Sequence, residues 1–395
     1  MKIYVFEDQY ALNLSPISVT RAVFDIRIGS ETFLDRIRNL FPDQAISLIV
    51  REELADLVSE THTNYDINPK DYEDGLWLSG SVIWTEESIK LLEQQNLTFH
   101  SDGRLVAANL SSDDAASWHA KGGPLESNFD AIKSSDINVN VCNYLWDIVK
   151  LVPQTIINES VKLSPIDSND YTKVNLLNAE KIFINNATVM PGALINADNG
   201  PVIIDDGALV YGQTYIEGPV YIGVDSVINP LTKIKNSVIG QKCKIGGEVD
   251  SSIIQGHTNK VHDGHLGDSF LGEWINLGAG TSNSNLKNNY SSVKVHINDQ
   301  LVDSDSLHIG CFVGDHVKTA IGTLINTGSV IGVGSMIASY GFIPKTIPHF
   351  SWYVNRKHLP VDIDKFIATT EVVKSRRGEN FTSTEKALIK KISNS

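Results

Sequence analysis

From about Lys181 onward, aliphatic residues recur at every sixth position: Ile204, Val210, Ile216, Ile222, Ile228 and Ile234. Small or β-branched residues stand four places after each, at Ala208, Thr214, Val220, Ser226, Thr232 and Val238. After a one-residue slip Ile239 and Ile245 carry the pattern on, and it returns as Ile325, Ile331, Ile337 and Ile343. No α-helix gives a period of six, and hairpins rarely hold a fixed spacing for so long. Hexapeptide periodicity predicts a parallel β-helix, in which each coil of roughly 18 residues has three short faces. Coils stack at about 4.8 Å, so each inward aliphatic residue meets its equivalents above and below. Residues 180–350 are expected to form about seven such coils, a stack on the order of 35 Å. The repeat breaks between Leu277 and Leu307, where the chain is too polar to line a coil interior.

The first half has a different rhythm. Lys2–Phe6 reads as a buried strand, and Phe33, Leu34, Ile37 and Leu40 follow helical spacing with Ser30 as the cap. A strand at Ser47–Val50, a helix at Glu52–Ser59, a strand at Leu76–Trp84 and a helix at Glu86–Gln94 come next. Alternating strands and helices predict an α/β domain with a parallel sheet over residues 1–165. An amphipathic helix at Tyr144–Ile157 and a polar linker at Pro165–Tyr171 close it. Two short helices, 362–375 and 383–392, are expected in a C-terminal extension over 351–395 that caps the open end of the coil stack.

Composition narrows the partners. With 42% hydrophobic and 20% charged residues, a chain of 395 residues can bury two cores, which argues against general disorder. The net charge of −14 repels a phosphate backbone, so nucleic acid is not expected as a partner. Basic residues do not cluster until Lys374, Arg376 and Arg377, a run read as a solvated helix face. Cys142, Cys243 and Cys311 are far apart and form no CxxC, so neither disulfides nor zinc are expected. No run reaches membrane-spanning length and no signal segment is evident, which makes the cytoplasm the expected location.

Candidate chemistry gathers at the break in the repeat. Five of the eleven histidines lie between His257 and His308. His262 and His265 lack the i, i+4 partner and the cysteines of a zinc site. Imidazole titrates near neutral pH, so a histidine in a polar cleft there can act as a general base; an outward-facing coil corner would equally tolerate it.

The stretch Val261-His262-Asp263-Gly264-His265-Leu266-Gly267-Asp268, followed by Asn276-Leu277-Gly278-Ala279-Gly280-Thr281 and Asn285, resembles the left-handed β-helix acyltransferases. The closest likeness is to the acetyltransferase domain of bifunctional N-acetylglucosamine-1-phosphate uridyltransferases. The resemblance puts His262 on the family's catalytic histidine and Glu248, Asn276 and Asn285 on positions around the sugar. His265 takes a tyrosine position, and Asp250 stands where the family has a lysine for the sugar phosphate. Lys260 and Lys287 are the cations that would compensate. The implied reaction is acetyl transfer from acetyl-CoA to an amino sugar phosphate, in a homotrimer whose sites lie between subunits.

The N-terminus is similar to sugar-phosphate nucleotidyltransferases through its first strand, Leu14, Pro16, Gly29, Leu34 and Ile37. The family's phosphate-cradling glycines are replaced by Asp8, Gln9 and Ala11, its arginine by Asn13 and its lysine by Val23. Arg21 and Arg27 remain as the cations for a nucleotide or phosphate, with Mg²⁺ as the ion such chemistry would use. The chain as a whole therefore resembles two-domain sugar nucleotidyltransferase-like proteins. Three functions follow as expectations: acyl transfer on the β-helix, nucleotidyl transfer on the first domain, or a non-catalytic trimeric sugar-nucleotide-binding scaffold.

Overall fold

A computed structural model of the chain describes residues 1–92, 97–127, 129 and 133–394. It divides into two compact units: Met1–Ile26 with Glu31–Tyr144 and Glu379–Ser395, and Arg27–Ser30 with Leu145–Gly378.

The first unit is built on a seven-stranded sheet in the order Ser134–Asp136, Leu97–Ser101, Arg104–Leu110, Gly75–Ser79, Lys2–Phe6, Ile46–Ile49, Asp66–Ile67. Lys2–Phe6 pairs in parallel with both neighbours, as the alternating pattern implies. Arg104–Leu110, however, runs antiparallel to both of its own neighbours. The reason is local. Asp102 and Gly103 both hold positive φ, 49° and 77°, and so close a two-residue hairpin that can join only antiparallel strands. The helix expected at Glu86–Gln94 is seen over Glu86–Lys90, and positions 93 and 94 lie outside the described residues.

Helix Phe33–Leu40 starts later than its spacing suggested. Thr32, not Ser30, is the cap: its hydroxyl accepts from the Asp35 N–H while the Asp35 carboxylate accepts from the Thr32 N–H. The Ser30 N–H instead donates to the Glu159 carboxylate, 2.9 Å away. Thr32→Ala should therefore destabilise the chain by about 1 kcal/mol, measured as a lower urea midpoint at unchanged slope. An unshifted midpoint would contradict this cap.

In the second unit the six-residue period becomes three faces of one coil. Ile204, Val210 and Ile216 lie on successive faces and meet Ile222, Ile228 and Ile234 in the coil above. One face stacks Ile204, Ile222, Ile239, Ile254, Leu271, Val313, Ile331 and Ile347 in parallel register. The coil interior is a largely aliphatic column from Ile182 to Tyr353. Leu277, read as the start of the break, is buried within that column; the excursion begins later and contains the antiparallel hairpin Lys294–Ile297 and Gln300–Asp303.

Helix Leu145–Ser160 packs on coil strands, including Tyr215–Ile222 and Lys233–Gln241, and belongs to this unit. The C-terminal helices do not cap the stack together. Ile363–Ser375 lies along the side of the coil, with Phe366 against Phe350 at 5.3 Å and the Lys374 ammonium 5.3 Å from the Trp274 ring. Ser383–Ser393 packs on Glu52–Thr61 in the first unit.

Candidate functional site

The site is built around a lysine in the coil interior. Strand positions Ile228, Ile245 and Lys260 are in register, so Lys260 stands where the column requires an aliphatic side chain. It is 2% exposed, and its ammonium donates to the carbonyls of Gly246 (2.7 Å), His262 (3.2 Å) and Gly264 (2.7 Å). Burial pushes its pKa down to about 8, against the pull of Asp263 and Glu248 in the other direction. Both carbonyls of the following turn are thus anchored from inside the coil.

That turn presents His262 outward. Its ring is exposed and has no hydrogen bond or ion pair among the described residues, so both nitrogens are available. It borders a groove walled by Pro230, Gly246, Gly280, Ile321 and Tyr340. Gly246 is required there, because a Cβ would lie 2.0 Å from the Val261 carbonyl oxygen and force the coils apart. Tyr340 is 93% exposed and Ile321 73% exposed, an apolar rim on an otherwise polar edge.

His265 opens the next face. Lys233, Glu248 and His265 are in register on its outer side, and the His265 Nδ1 lies 3.6 Å from a Glu248 oxygen. Beside them Asn285 donates to the Asp268 carboxylate at 2.6 Å. Burial raises the Asp268 pKa, although the Asn285 hydrogen bond and His308 oppose it. Asp268 and His308 also line a polar pocket with Trp146, Lys150, Asn236 and Ser251.

Four of the expected residues therefore share one region: His262 at the corner, then Glu248, His265 and Asn285 on the face that follows. Asn276 lies elsewhere, on the outer side of the preceding face, 3.4 Å from Asn259. The Lys287 ammonium folds back onto Ser291 and the Ser292 carbonyl of its own loop. Neither Lys260 nor Lys287 is thus free to meet a phosphate. Asp250 instead pairs with Lys235 at 3.0 Å, and this hydrogen bond raises the Lys235 pKa. Lys260, expected as a phosphate cation, is instead a buried anchor of the turn, and Asp268 and His308 escape a sequence reading because their partners lie on other coils.

The residues that stand where the resembling family has its phosphate loop are engaged within the first unit. The Glu7 carboxylate accepts from the backbone N–H groups of Val23 (2.9 Å) and Arg51 (3.0 Å) and from the Arg51 guanidinium at 3.0 Å. Asp8 receives a two-pronged bond from Arg104 at 2.7 and 2.9 Å. Both acids are already charge-balanced, so this pair does not fit a Mg²⁺ site. Among the described residues no group of three or more His, Cys, Asp or Glu is placed to hold a metal. Arg21 is buried in the first unit, whereas Arg27 belongs to the second, donating to Gln255 through its backbone N–H (3.0 Å) and its Nε (3.3 Å). Burial pushes the thiols of Cys243 and Cys311 up to about 12, which leaves them inert. No described helix is long and apolar enough to cross a membrane.

Residues 3–164 match the family described as sugar nucleotidyl transferase. The chain is 35% identical over 146 residues to a bifunctional sugar-1-phosphate nucleotidylyltransferase/acetyltransferase of Sulfurisphaera tokodaii, an overlap of 35% of each chain. It is 28% identical over 198 residues to the bifunctional protein GlmU of Synechococcus elongatus, covering 49% of this chain and 39% of that one. With the GlmU of Methanocaldococcus jannaschii it shares 29% identity over 163 residues, 40% of each. The chain thus spans well under two thirds of these relatives. The likeness drawn from the motifs stands: this chain resembles sugar nucleotidyl transferases and proteins that pair that activity with an acetyltransferase.

Proposed function

We propose that the β-helix is an acetyltransferase whose general base is His262 and whose acceptor is an amino sugar phosphate. The observation that carries this reading is the His262 ring, unengaged at the rim of a groove, with its backbone carbonyl held from behind by the Lys260 ammonium. In the reaction the acceptor amine attacks the thioester carbonyl of acetyl-CoA, and His262 takes the amine proton as the C–N bond forms. The tetrahedral intermediate collapses with departure of the thiolate, which receives a proton, leaving amide and free thiol. Glu248 and His265 offer a polar wall for the sugar, and Lys233 stands in register with them as a cation for its phosphate. The apolar rim of Ile321 and Tyr340 supports a homotrimer in which a second copy covers the groove. Appearance of free thiol from acetyl-CoA should require an amino sugar phosphate and be weaker with the unphosphorylated amino sugar. Silence with every amino sugar phosphate tried would overturn the proposal.

A second reading, carried by the match of residues 3–164, keeps sugar-1-phosphate nucleotidyl transfer in the first unit. No step of it is assigned to Glu7 or Asp8, which Arg51 and Arg104 already hold. Release of pyrophosphate from a nucleoside triphosphate and a sugar 1-phosphate would support it. Ligand-induced thermal stabilisation without turnover would instead favour a binding scaffold.

A further inference from the structure

The basic run near the C-terminus is not the solvated helix face its sequence suggested. Lys374 is 6% exposed, with its ammonium over the Trp274 ring. Arg377 donates to the Lys242 carbonyl at 2.7 Å and to the Asn259 side-chain oxygen at 2.6 Å, which ties the helix end to the coil wall. Between helix and wall lies a pocket lined by Lys244, His257, Asn276, Lys318, Arg376 and Arg377, among others. His257 and Trp274, which line it, both hold positive φ and stack ring on ring at 4.4 Å.

Charge makes this pocket unusual in a chain of net charge −14. Lys244, Lys318, Arg376 and Arg377 converge on it, and among the described residues none of the four has a carboxylate partner. Glu273 pairs with His257 at 3.5 Å and does not line the cavity. Lys318 is the most telling. Its ammonium is largely withdrawn from water, 6.0 Å from the centre of the Phe366 ring, and that desolvation lowers its pKa with nothing to offset it. A desolvated cation without a counter-charge is costly, and Lys318 together with three further cations at one cavity is complementary to a multiply charged anion. The Arg376 guanidinium fork with the Lys244 and Lys318 ammonium groups suits the several oxygens of a phosphate better than a single carboxylate, while Arg377, tied to the coil wall, adds its charge.

We infer that this pocket binds a phosphate group. It is a site apart from the His262 groove: the strand Asn259–Lys260 begins beside it and leads away into the His262 turn. The phosphate would arrive either as a free anion or as the charged end of a nucleotide.

Thermal unfolding of the full chain with inorganic phosphate, tripolyphosphate or ADP, each against chloride at equal ionic strength, tests the site. The phosphates should raise the Tm beyond the chloride control. Lys244→Ser/Arg376→Ser, at two exposed positions, should keep the ligand-free Tm and weaken the apparent affinity by about tenfold or more. Arg376→Gln alone gives a second reading should the double variant fold poorly, and should weaken binding in the same direction. Tighter binding of ADP than of tripolyphosphate, lost in the same variants, would identify a nucleotide; equal binding would identify the free anion. His262→Ala should retain the whole effect, so failure of acetyl transfer and failure of this site can be told apart. A shift no larger than that of chloride, or one that survives both variants, would overturn the inference.

Discussion

His262→Ala is expected to slow acetyl transfer by about 10²- to 10⁴-fold while leaving the folded state intact, because it removes the proton acceptor and nothing that packs. The ring is exposed and touches no hydrogen-bond partner among the described residues, so its loss should move the Tm by no more than a surface substitution does. The effect should fall on kcat, since the proton is taken in the transition state and not on binding. His265→Ala should act differently. It deletes one side of the 3.6 Å contact with Glu248 and should raise the KM for the sugar more than it lowers kcat. Steady-state thiol release across both substrates separates the two. Full activity of His262→Ala would remove the histidine from the mechanism.

The second large effect is expected at Lys260. Replacing it by methionine keeps most of the side chain's apolar stem but strands the carbonyl oxygens of Gly246 and His262, for which the lysine supplies the hydrogen bond. Each buried acceptor left without a partner costs about 1–3 kcal/mol, so Lys260→Met should lose roughly 2–5 kcal/mol near neutral pH. Loosening of the turn should also lower kcat, because the backbone that presents His262 is no longer fixed. The pH dependence has a defined sign. Below about pH 8 the folded and unfolded chains both hold the lysine proton; from there up to the ordinary 10.5 the unfolded chain holds more. Stability therefore rises with pH across that window, by roughly 3 kcal/mol from this group, and falls as pH drops back through it. Chemical denaturation between pH 7.5 and 10.5 should show the rise as a difference between wild type and Lys260→Met. Parallel curves for the two proteins would contradict the assignment.

The coil was legible because every inward residue repeats a size and a chemistry, and Ile204 above Ile222 is only the period made three-dimensional. The same rule hid Lys260. Coil length varies, with Ile245 pairing with a residue 15 positions on and Val227 with one 17 on, so a fixed count loses the register at that point. Asn283 was hidden likewise: it is buried in register with Ile325, its amide donating to the Gly267 carbonyl and its oxygen accepting the Gly267 N–H. The Asp102–Gly103 hairpin carried a local signal, and a parallel reading of the sheet overlooked it. Glu7 and Asp8 are different in kind. Their partners, Arg51 and Arg104, lie 44 and 96 residues away, and no local pattern joins them. The basic residues 374–377 had helical spacing, but only the coil wall shows that Lys374 and Arg377 turn inward.

We propose that the β-helix moves an acetyl group onto a sugar amine. The most direct test is to incubate the full chain with acetyl-CoA and an amino sugar phosphate and to identify the sugar product by mass spectrometry. An N-acetylated sugar phosphate is expected, formed one for one with free thiol by the wild-type chain and hardly at all by His262→Ala. Recovery of the sugar phosphate unmodified, or equal product from both proteins, would contradict it.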